Sequence, residues 1–362
     1  MKQNKASYMM KWVTICLTTF SVLVVMTIAF TPWQRAEACS RILWNDNKLA
    51  VLVARTMDWP ETTEPILTVF PRGLERNGGL LKSEVVVKEN PAKWVSKHGS
   101  MVTAGYGIGP ADGFNEKGLA IHMLYLRATD VGPRDPSKPG VHIALWGQYL
   151  LDNAATVEEA IALHEKINVV MFNLPNGMGA TLHLAMEDAT GDSAIIEYLN
   201  GKPVVHKGRQ YQIMTNDPTY DEQLALLAKQ DYSKPSMDLP IPGNVNAIDR
   251  FQRAAYYKSV LQEPKNEQQA VASVLAIARN VSVPFDAPYH GFGVYNTEYR
   301  TVIDLTNKRY FFELTTQPNV IWMDLSKFDL KEGAPVMVLD PHNIELSGNV
   351  TGQFQKAQKV PF

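Results

Sequence analysis

Cys39 stands directly after Ala36-Glu37-Ala38, a segment with small residues at the two positions that a secretory peptidase inspects. Removal of a leader at that point makes cysteine the first residue of the mature chain, so that a thiol and a free α-amino group share one carbon. The α-amino group has an unperturbed pKa of about 8, against about 10.4 for lysine, and it accepts a proton at neutral pH without special tuning. Nucleophile and base then arrive on one residue. The other cysteine, Cys16, lies inside the leader and leaves with it. An exported chain that keeps one thiol without a disulfide partner points to intermolecular pairing or a reactive group, the alternative being a buried inert side chain.

The leader has a basic start at Lys2, Lys5 and Lys11, then an apolar stretch from Trp12 to Phe30 broken only by threonines and one serine. That is the pattern of a signal peptide, and it predicts a periplasmic or secreted protein with no membrane association once residues 1–38 are removed. An uncleaved anchor is the first alternative, since the stretch is close to the roughly 20 residues that span a bilayer. A lipidated cysteine is the second. That route wants an aliphatic residue three before the cysteine and a small one two before, where Ala36 and Glu37 stand.

Residues 39–362 show no internal repeat, no low-complexity linker and no second apolar span, and are read as one domain. A formal charge of −2 and the lack of any long basic run give no footprint for nucleic acid,. The expected partner is a small molecule. His98, His122, His142, His164, His183, His206, His290 and His342 are scattered without metal-ligand spacing or cysteine partners, so no metal or other cofactor is expected,. Among them only His142, in a helical pattern, is a candidate for touching a substrate.

The elements that must position Cys39 begin at the mature N-terminus. Ser40 to Trp44 and Leu49 to Thr56, split by Asn45-Asp46-Asn47, predict a hairpin. Strands are expected at Ile66 to Phe70, Met101 to Gly105 and Leu119 to Tyr125, then helices at about Val141 to Asp152 and Val157 to Lys166, the second opened by a Thr156/Glu159 capping box. Strand patterns return at Thr181 to Met186, Ser193 to Tyr198, Pro203 to Lys207 and Tyr211 to Met214. Helices follow at Ile248 to Leu261 and Asn266 to Arg279, and a last hairpin at Tyr299 to Asp304 and Arg309 to Glu313. Two groups of strands with helices between them argue for a layered α+β domain, two antiparallel sheets face to face with helices outside.

Five segments carry a resemblance to a known family. They are Cys39 as first residue, the run from Ala54 to Trp59, the run from Asp112 to Leu119, the run from Met214 to Tyr220, and the run from Asp249 to Arg253. In that order and spacing the chain resembles the choloylglycine hydrolase family, the bile salt hydrolases and penicillin V acylases within the N-terminal nucleophile hydrolases. The resemblance implies a four-layer αββα sandwich. It also implies a cysteine amidase that cleaves linear C–N amide bonds through a Cys39 thioester. The segment from Asp231 to Asn246 is short and proline-rich where Gram-positive members insert a loop that ties a tetramer, so the Gram-negative branch is the better match. A homo-oligomer, as a tetramer, is expected.

The family's site residues carry over one by one. Asp58 would hold or orient the terminal amine, and Arg55 would bring a fixed positive charge to the sulfur and favour thiolate; an Arg and Asp three apart otherwise read as a surface ion pair. Asn216 matches an asparagine of the family's oxyanion hole, although by sequence alone it reads as a turn residue before Asp217-Pro218. Arg250 is preferred to Arg253 as the arginine of the constellation. Trp59 offers a flat apolar surface suited to an acyl chain or to core packing. Tyr125 stands where bile salt hydrolases commonly carry asparagine and penicillin V acylases often carry tyrosine. The function expected is therefore penicillin V acylase, N-acyl-homoserine lactone acylase, or both. A bile salt hydrolase is the alternative within the class, and a non-catalytic membrane-tethered or lipidated binding protein the alternative from another.

Overall fold

The computed structural model describes residues 38–173, 179–289 and 293–362, and the expected leader, Cys16 and His290 lie outside them. The N-terminal hairpin is formed by β1 (Ala38–Trp44) and β2 (Leu52–Trp59), antiparallel and in register from Ala38 opposite Asp58 to Trp44 opposite Leu52. Asn47 closes its turn. The side-chain oxygen accepts from the Leu49 and Ala50 N–H groups, and Nδ2 donates to the Trp44 and Ala50 carbonyls, as short amide side chains do in tight connections. Cys39 lies opposite Met57. Because side chains alternate along a strand, Cys39, Arg41, Arg55 and Met57 share one face, and Ser40, Thr56 and Asp58 the other.

The remaining strands assemble two large sheets. One strand set is β3 (Ile66–Phe70), β4 (Ser100–Gly105), β5 (Gly109–Asn115), β6 (Ala120–Tyr125), β7 (Leu182–Glu187), β8 (Ser193–Leu199) and β9 (Lys202–Lys207). The other includes β10 (Ile213–Met214), β11 (Gly293–Asp304), β12 (Arg309–Leu314) and β13 (Ile321–Asp324). The first sheet runs β10-β1-β2-β11-β12-β13 and ends on Gly348–Asn349, a short parallel partner of β13. The second runs β9-β8-β7-β6-β5-β4-β3 and continues through Met337–Leu339 to Gln355–Lys356, antiparallel throughout. β1 and β2 sit inside the first sheet and are buried on both faces, as the nearly unbroken burial of Leu52–Trp59 requires.

Helices cover the outer faces. α1 (Ile143–Asn153) and α2 (Val157–His164) pack their apolar stripes on the second sheet, where Trp146, Leu150 and Val157 join Ile121 and Ile196 in one core. α3 (Tyr220–Leu227), α4 (Ala247–Ser259) and α5 (Glu267–Asn280) lie on the side of the first sheet, with Phe251, Val274 and Ile277 packed around Ile42 and Ala54. Helix, sheet, sheet, helix is the αββα sandwich. The described residues within 38–288 and 294–362 belong to one compact unit, and no helix among them is long and apolar enough to cross a membrane.

Two elements escape the sequence pattern. β5 reads Gly-Pro-Ala-Asp-Gly-Phe-Asn, a composition of turns, but β4 and β6 pair it on both sides and impose the extended chain. Gly109 is required there by close approach, since a Cβ on it would stand 2.0 Å from the Ala144 carbonyl oxygen of α1. α3 is too short to show a period and is announced only by its capping box, Thr219 with Glu222. At α2 the Thr156 hydroxyl does cap the Glu159 N–H at 3.2 Å, while Glu159 reaches back to the N–H of Ala155 instead of Thr156.

Candidate active site

Cys39 is 3% exposed and its sulfur faces the second sheet. Around Sγ lie Arg55 Nη2 at 3.9 Å, the Asp58 carbonyl oxygen at 3.9 Å and Met57 Sδ at 4.0 Å. The backbone nitrogen of Cys39 donates to Asn216 Oδ1 at 2.5 Å. Its carbonyl oxygen accepts from Arg250 Nη1 at 2.6 Å. The strand end that carries the thiol is therefore held at both its nitrogen and its carbonyl by side chains distant in sequence.

Asn216 follows β10, the short strand that pairs with β1, and that pairing delivers its side chain to the neighbouring strand's first residues. The amide is used at both ends: Oδ1 accepts from Cys39 and from Arg250 Nη2 at 3.0 Å, and Nδ2 donates to the Tyr125 carbonyl at 2.6 Å. Two donors on the oxygen fix which way the amide points. The structure thus gives Asn216 the role of acceptor to the Cys39 nitrogen, which the sequence had assigned to Asp58.

Asp58 lies on the opposite face of β2 from the sulfur. Its carboxyl accepts from the hydroxyls of Thr56 and Thr297 and stands 3.7 Å from Arg250 Nη1. Arg250, on the first turn of α4, also donates to the Ser40 hydroxyl and the Val245 carbonyl. Arg253 turns elsewhere: it donates to the carbonyls of Pro242 and Asn244 and ties down the segment that precedes α4. Arg250 is the arginine of the cluster. Ser40 and Thr297 belong to it as well and were not singled out by sequence; Ser40 had only its adjacency to Cys39 as a signal, and Thr297 had none.

Burial pushes the Cys39 thiol above its ordinary range, with Arg55 opposing and Asp58 reinforcing the rise. Desolvation wins over the guanidinium, so the fixed charge that was expected to favour thiolate softens the cost of ionisation without removing it. Asp58 is also raised by burial, with Arg250 and the two threonine hydroxyls pulling it back. Arg55 is 1% exposed, and although burial works against its charge, Tyr299, Cys39 and Asp112 hold it charged.

Beside the sulfur opens a cavity of about 120 Å³. Its walls are Trp59, Tyr106, Ile108, Pro110, Phe172 and Leu182, with Met57, Met123 and Tyr125 nearer the thiol. The Trp59 and Tyr125 rings meet at 5.7 Å, tilted by 49°. Trp59 is thus a wall of the cavity as well as a packing residue. Of the lining, Tyr106 and Ile108 come from the turn between β4 and β5, which carried no readable signal. His142 does not reach the cavity: it is buried, its Nε2 pairs with the Leu80 carbonyl at 3.0 Å, and its ring packs edge-on against Phe172. No group of three His, Cys, Asp or Glu side chains placed to hold a metal ion occurs among the described residues.

Against known proteins, residues 39–340 match the family described as linear amide C-N hydrolases, choloylglycine hydrolase family. The chain belongs to this family. The match begins on Cys39 itself. A penicillin V acylase of Pectobacterium atrosepticum is 36% identical, over 96% of this chain and 96% of its own. The structure of penicillin V acylase from Agrobacterium tumefaciens superposes with a TM-score of 0.79 at 42% identity, over 90% of this chain and 98% of that one. Conjugated bile acid hydrolase from Clostridium perfringens superposes at 0.70 with 19% identity, over 86% and 98%, a likeness of fold. As a choloylglycine hydrolase family member of the Gram-negative branch, the protein is an amidohydrolase of linear C–N bonds, and its enclosed site suits a small-molecule amide.

Proposed function

We propose that the protein is an exported acylase that cleaves amides with an apolar acyl half, phenoxyacetyl or fatty, using Cys39 as its N-terminal nucleophile. Removal of residues 1–38 converts the Cys39 nitrogen from an amide to an amine in the place now held by Asn216. The buried thiol stays protonated at neutral pH and needs a base, which its own amine supplies. Sulfur attacks the substrate carbonyl as the thiol proton passes to the amine. The tetrahedral oxyanion is met by the second N–H of Asn216 Nδ2 and by the backbone around Tyr125. Collapse expels the leaving amine, which takes the proton from the ammonium, and leaves a thioester on Cys39. Water, activated by the amine, then hydrolyses it and restores the thiol.

In this reading Asp58 and Arg250 secure the Cys39 backbone and the orientation of the amine, Arg55 steadies the developing thiolate, and Trp59 and Tyr125 grip the acyl group. The observation that carries the reading is the Cys39 nitrogen held by Asn216 with its sulfur facing an almost wholly apolar cavity. The family likeness to two penicillin V acylases points the same way for the acyl half. A mature single domain of residues 39–362, in the periplasm or outside the cell and assembled as a tetramer, completes the proposal. Mass spectrometry of the protein from its native host tests the start at Cys39. In parallel, Cys39→Ser and a form with one residue left ahead of Cys39 should both lose nearly all phenoxyacetyl amide turnover. Full turnover by the verified extended form would remove the α-amine from the mechanism.

A further inference from the structure

Arg55 is poorly supplied with acceptors for a buried guanidinium. Nη2 donates to the Met123 carbonyl at 3.0 Å and brushes the sulfurs of Met57 and Cys39, while Nε and Nη1 find no hydrogen-bond partner among the described residues. Its countercharge comes from the other sheet: Asp112 Oδ1, on β5, lies 3.8 Å from Nη1. Asp112 by contrast is bolted in place. The Thr301 hydroxyl donates to Oδ2 and the Tyr310 hydroxyl to Oδ1 at 2.9 Å, and Tyr310 is itself paired with Thr103. On its far side His122 Nδ1 stands 3.9 Å from Oδ2, with Nε2 on Glu187 at 2.7 Å and Glu187 paired to Arg41. Asp112, His122, Glu187, Arg41 and Thr301 are all fully buried, so this charged layer is closed to solvent.

We propose that Asp112 is a positioning residue that holds the Arg55 guanidinium against the Cys39 sulfur from across the interface between the sheets. The inference rests on Cys39 being the nucleophile. A buried charge without its partner is costly and seeks another setting, and for Arg55 the open direction is the cavity that it lines. The thiol is faced by Arg55 and Asp58 of β2, by Arg250 of α4 through the Cys39 carbonyl, by Tyr299 of β11, and in the mature chain by its own amine. Asp112 is faced by Arg55, His122, Tyr299 and Tyr310. Asp112 acts on the sulfur in two opposed ways. Its own negative charge disfavours thiolate, and its hold on Arg55 favours it, so the direction of change on its removal tells which dominates.

The test is the rate of iodoacetamide alkylation of Cys39 in the mature protein from neutral to alkaline pH, read by mass spectrometry, with thermal unfolding recorded beside it. Asp112→Asn should slow alkylation at neutral pH by roughly tenfold and displace its profile to higher pH. In an Arg55→Met background the same change should have less than about a twofold effect, since the route through Arg55 is gone. Faster or unchanged alkylation in Asp112→Asn, or an undiminished effect without Arg55, overturns the proposal. Should Asp112→Asn fail to fold, Tyr310→Phe and Thr301→Val loosen the carboxylate and keep its charge; they should slow alkylation in the same direction, and no change would overturn it equally. Wild-type amide turnover on the same preparation tests the nucleophile assignment separately, because alkylation reads the sulfur whether or not amides are cleaved.

Discussion

The Cys39 nitrogen and the Asn216 side chain, 177 residues apart in sequence, meet at 2.5 Å, and the same Asn216 oxygen is shared with Arg250. The contact joins the first residue of the family match to the loop after β10 and uses a neutral acceptor where a carboxylate was expected. A neutral acceptor orients an amine without making it a stronger acid or locking it as an ammonium, which suits a group that must take up and release a proton in each cycle. Asp58, one layer back, orders the threonines and Arg250 that frame this pair.

Asn216→Ala removes the acceptor for the nitrogen and an oxyanion donor together. It should lower kcat/KM by about 2.7–4 kcal/mol of transition-state stabilisation, mostly in kcat, as loss of a single oxyanion donor does. Steady-state kinetics on a phenoxyacetyl amide checks this. A change confined to KM would place Asn216 in substrate binding alone.

The two arginines of α4 should separate cleanly. Arg250→Met leaves the Asp58 carboxyl buried without its countercharge and frees the Cys39 carbonyl, so it should cost about 3–5 kcal/mol of stability as well as turnover. Arg253→Met loses two contacts to the segment before α4 and should lower stability by about 1–2 kcal/mol with kcat kept. Urea unfolding and kcat measured on both variants decide it. Equal loss of kcat in the two would mean that Arg250 acts only through the placement of α4.

Much of this arrangement was legible because Cys39, Arg55 and Asp58 fall on one hairpin, whose register follows from local alternation and a single turn. Strand period also placed Ser193–Leu199 and Arg309–Leu314 to within a residue. What was hidden depends on long-range pairing. β5 is a strand only because its neighbours make it one, and the choice of Asn216 over Asp58 as partner to Cys39 depends on β10 lying beside β1, which no local pattern encodes. The thiol was read as activated by Arg55 because a sequence shows charges but not desolvation, and in the folded protein desolvation is the larger effect on it.

Acid should weaken the fold through histidines remote from the site. Burial holds His142 and His164 down at about 4, against about 6.5 in an unfolded chain,. Between those values the unfolded state binds more protons, so stability is intact above about 6.5 and is lost as pH falls toward about 4. From pH 7 to pH 5 each contributes a loss of about 2 kcal/mol. His164 packs on Trp146 at 5.3 Å within the core under α1. His164→Gln should shrink the difference between urea midpoints at the two pH values by its share, and an unchanged difference would place the acid lability in other groups.

Substrate choice follows from the shape and polarity of the cavity at the sulfur. With Trp59, Tyr106, Ile108, Pro110 and Leu182 as walls and about 120 Å³ of space, it fits an aryl or extended alkyl group better than a rigid four-ring body. Each added CH₂ buried there contributes about 0.8 kcal/mol, so kcat/KM should climb roughly fourfold per methylene along a series of acyl-homoserine lactones until the cavity is filled, then level off. Phenoxyacetyl amides should be cleaved well and glycocholate poorly. Trp59→Ala removes one wall and the ring contact with Tyr125, and should flatten the dependence on acyl length while leaving alkylation of Cys39 unchanged. Glycocholate preferred by tenfold over penicillin V would reject the acyl pocket and keep the Cys39 chemistry. A flat length series in the unaltered enzyme would show that the acyl chain lies outside this cavity, and Ala144→Phe, at the floor beside Gly109, would then have no effect on any member of the series.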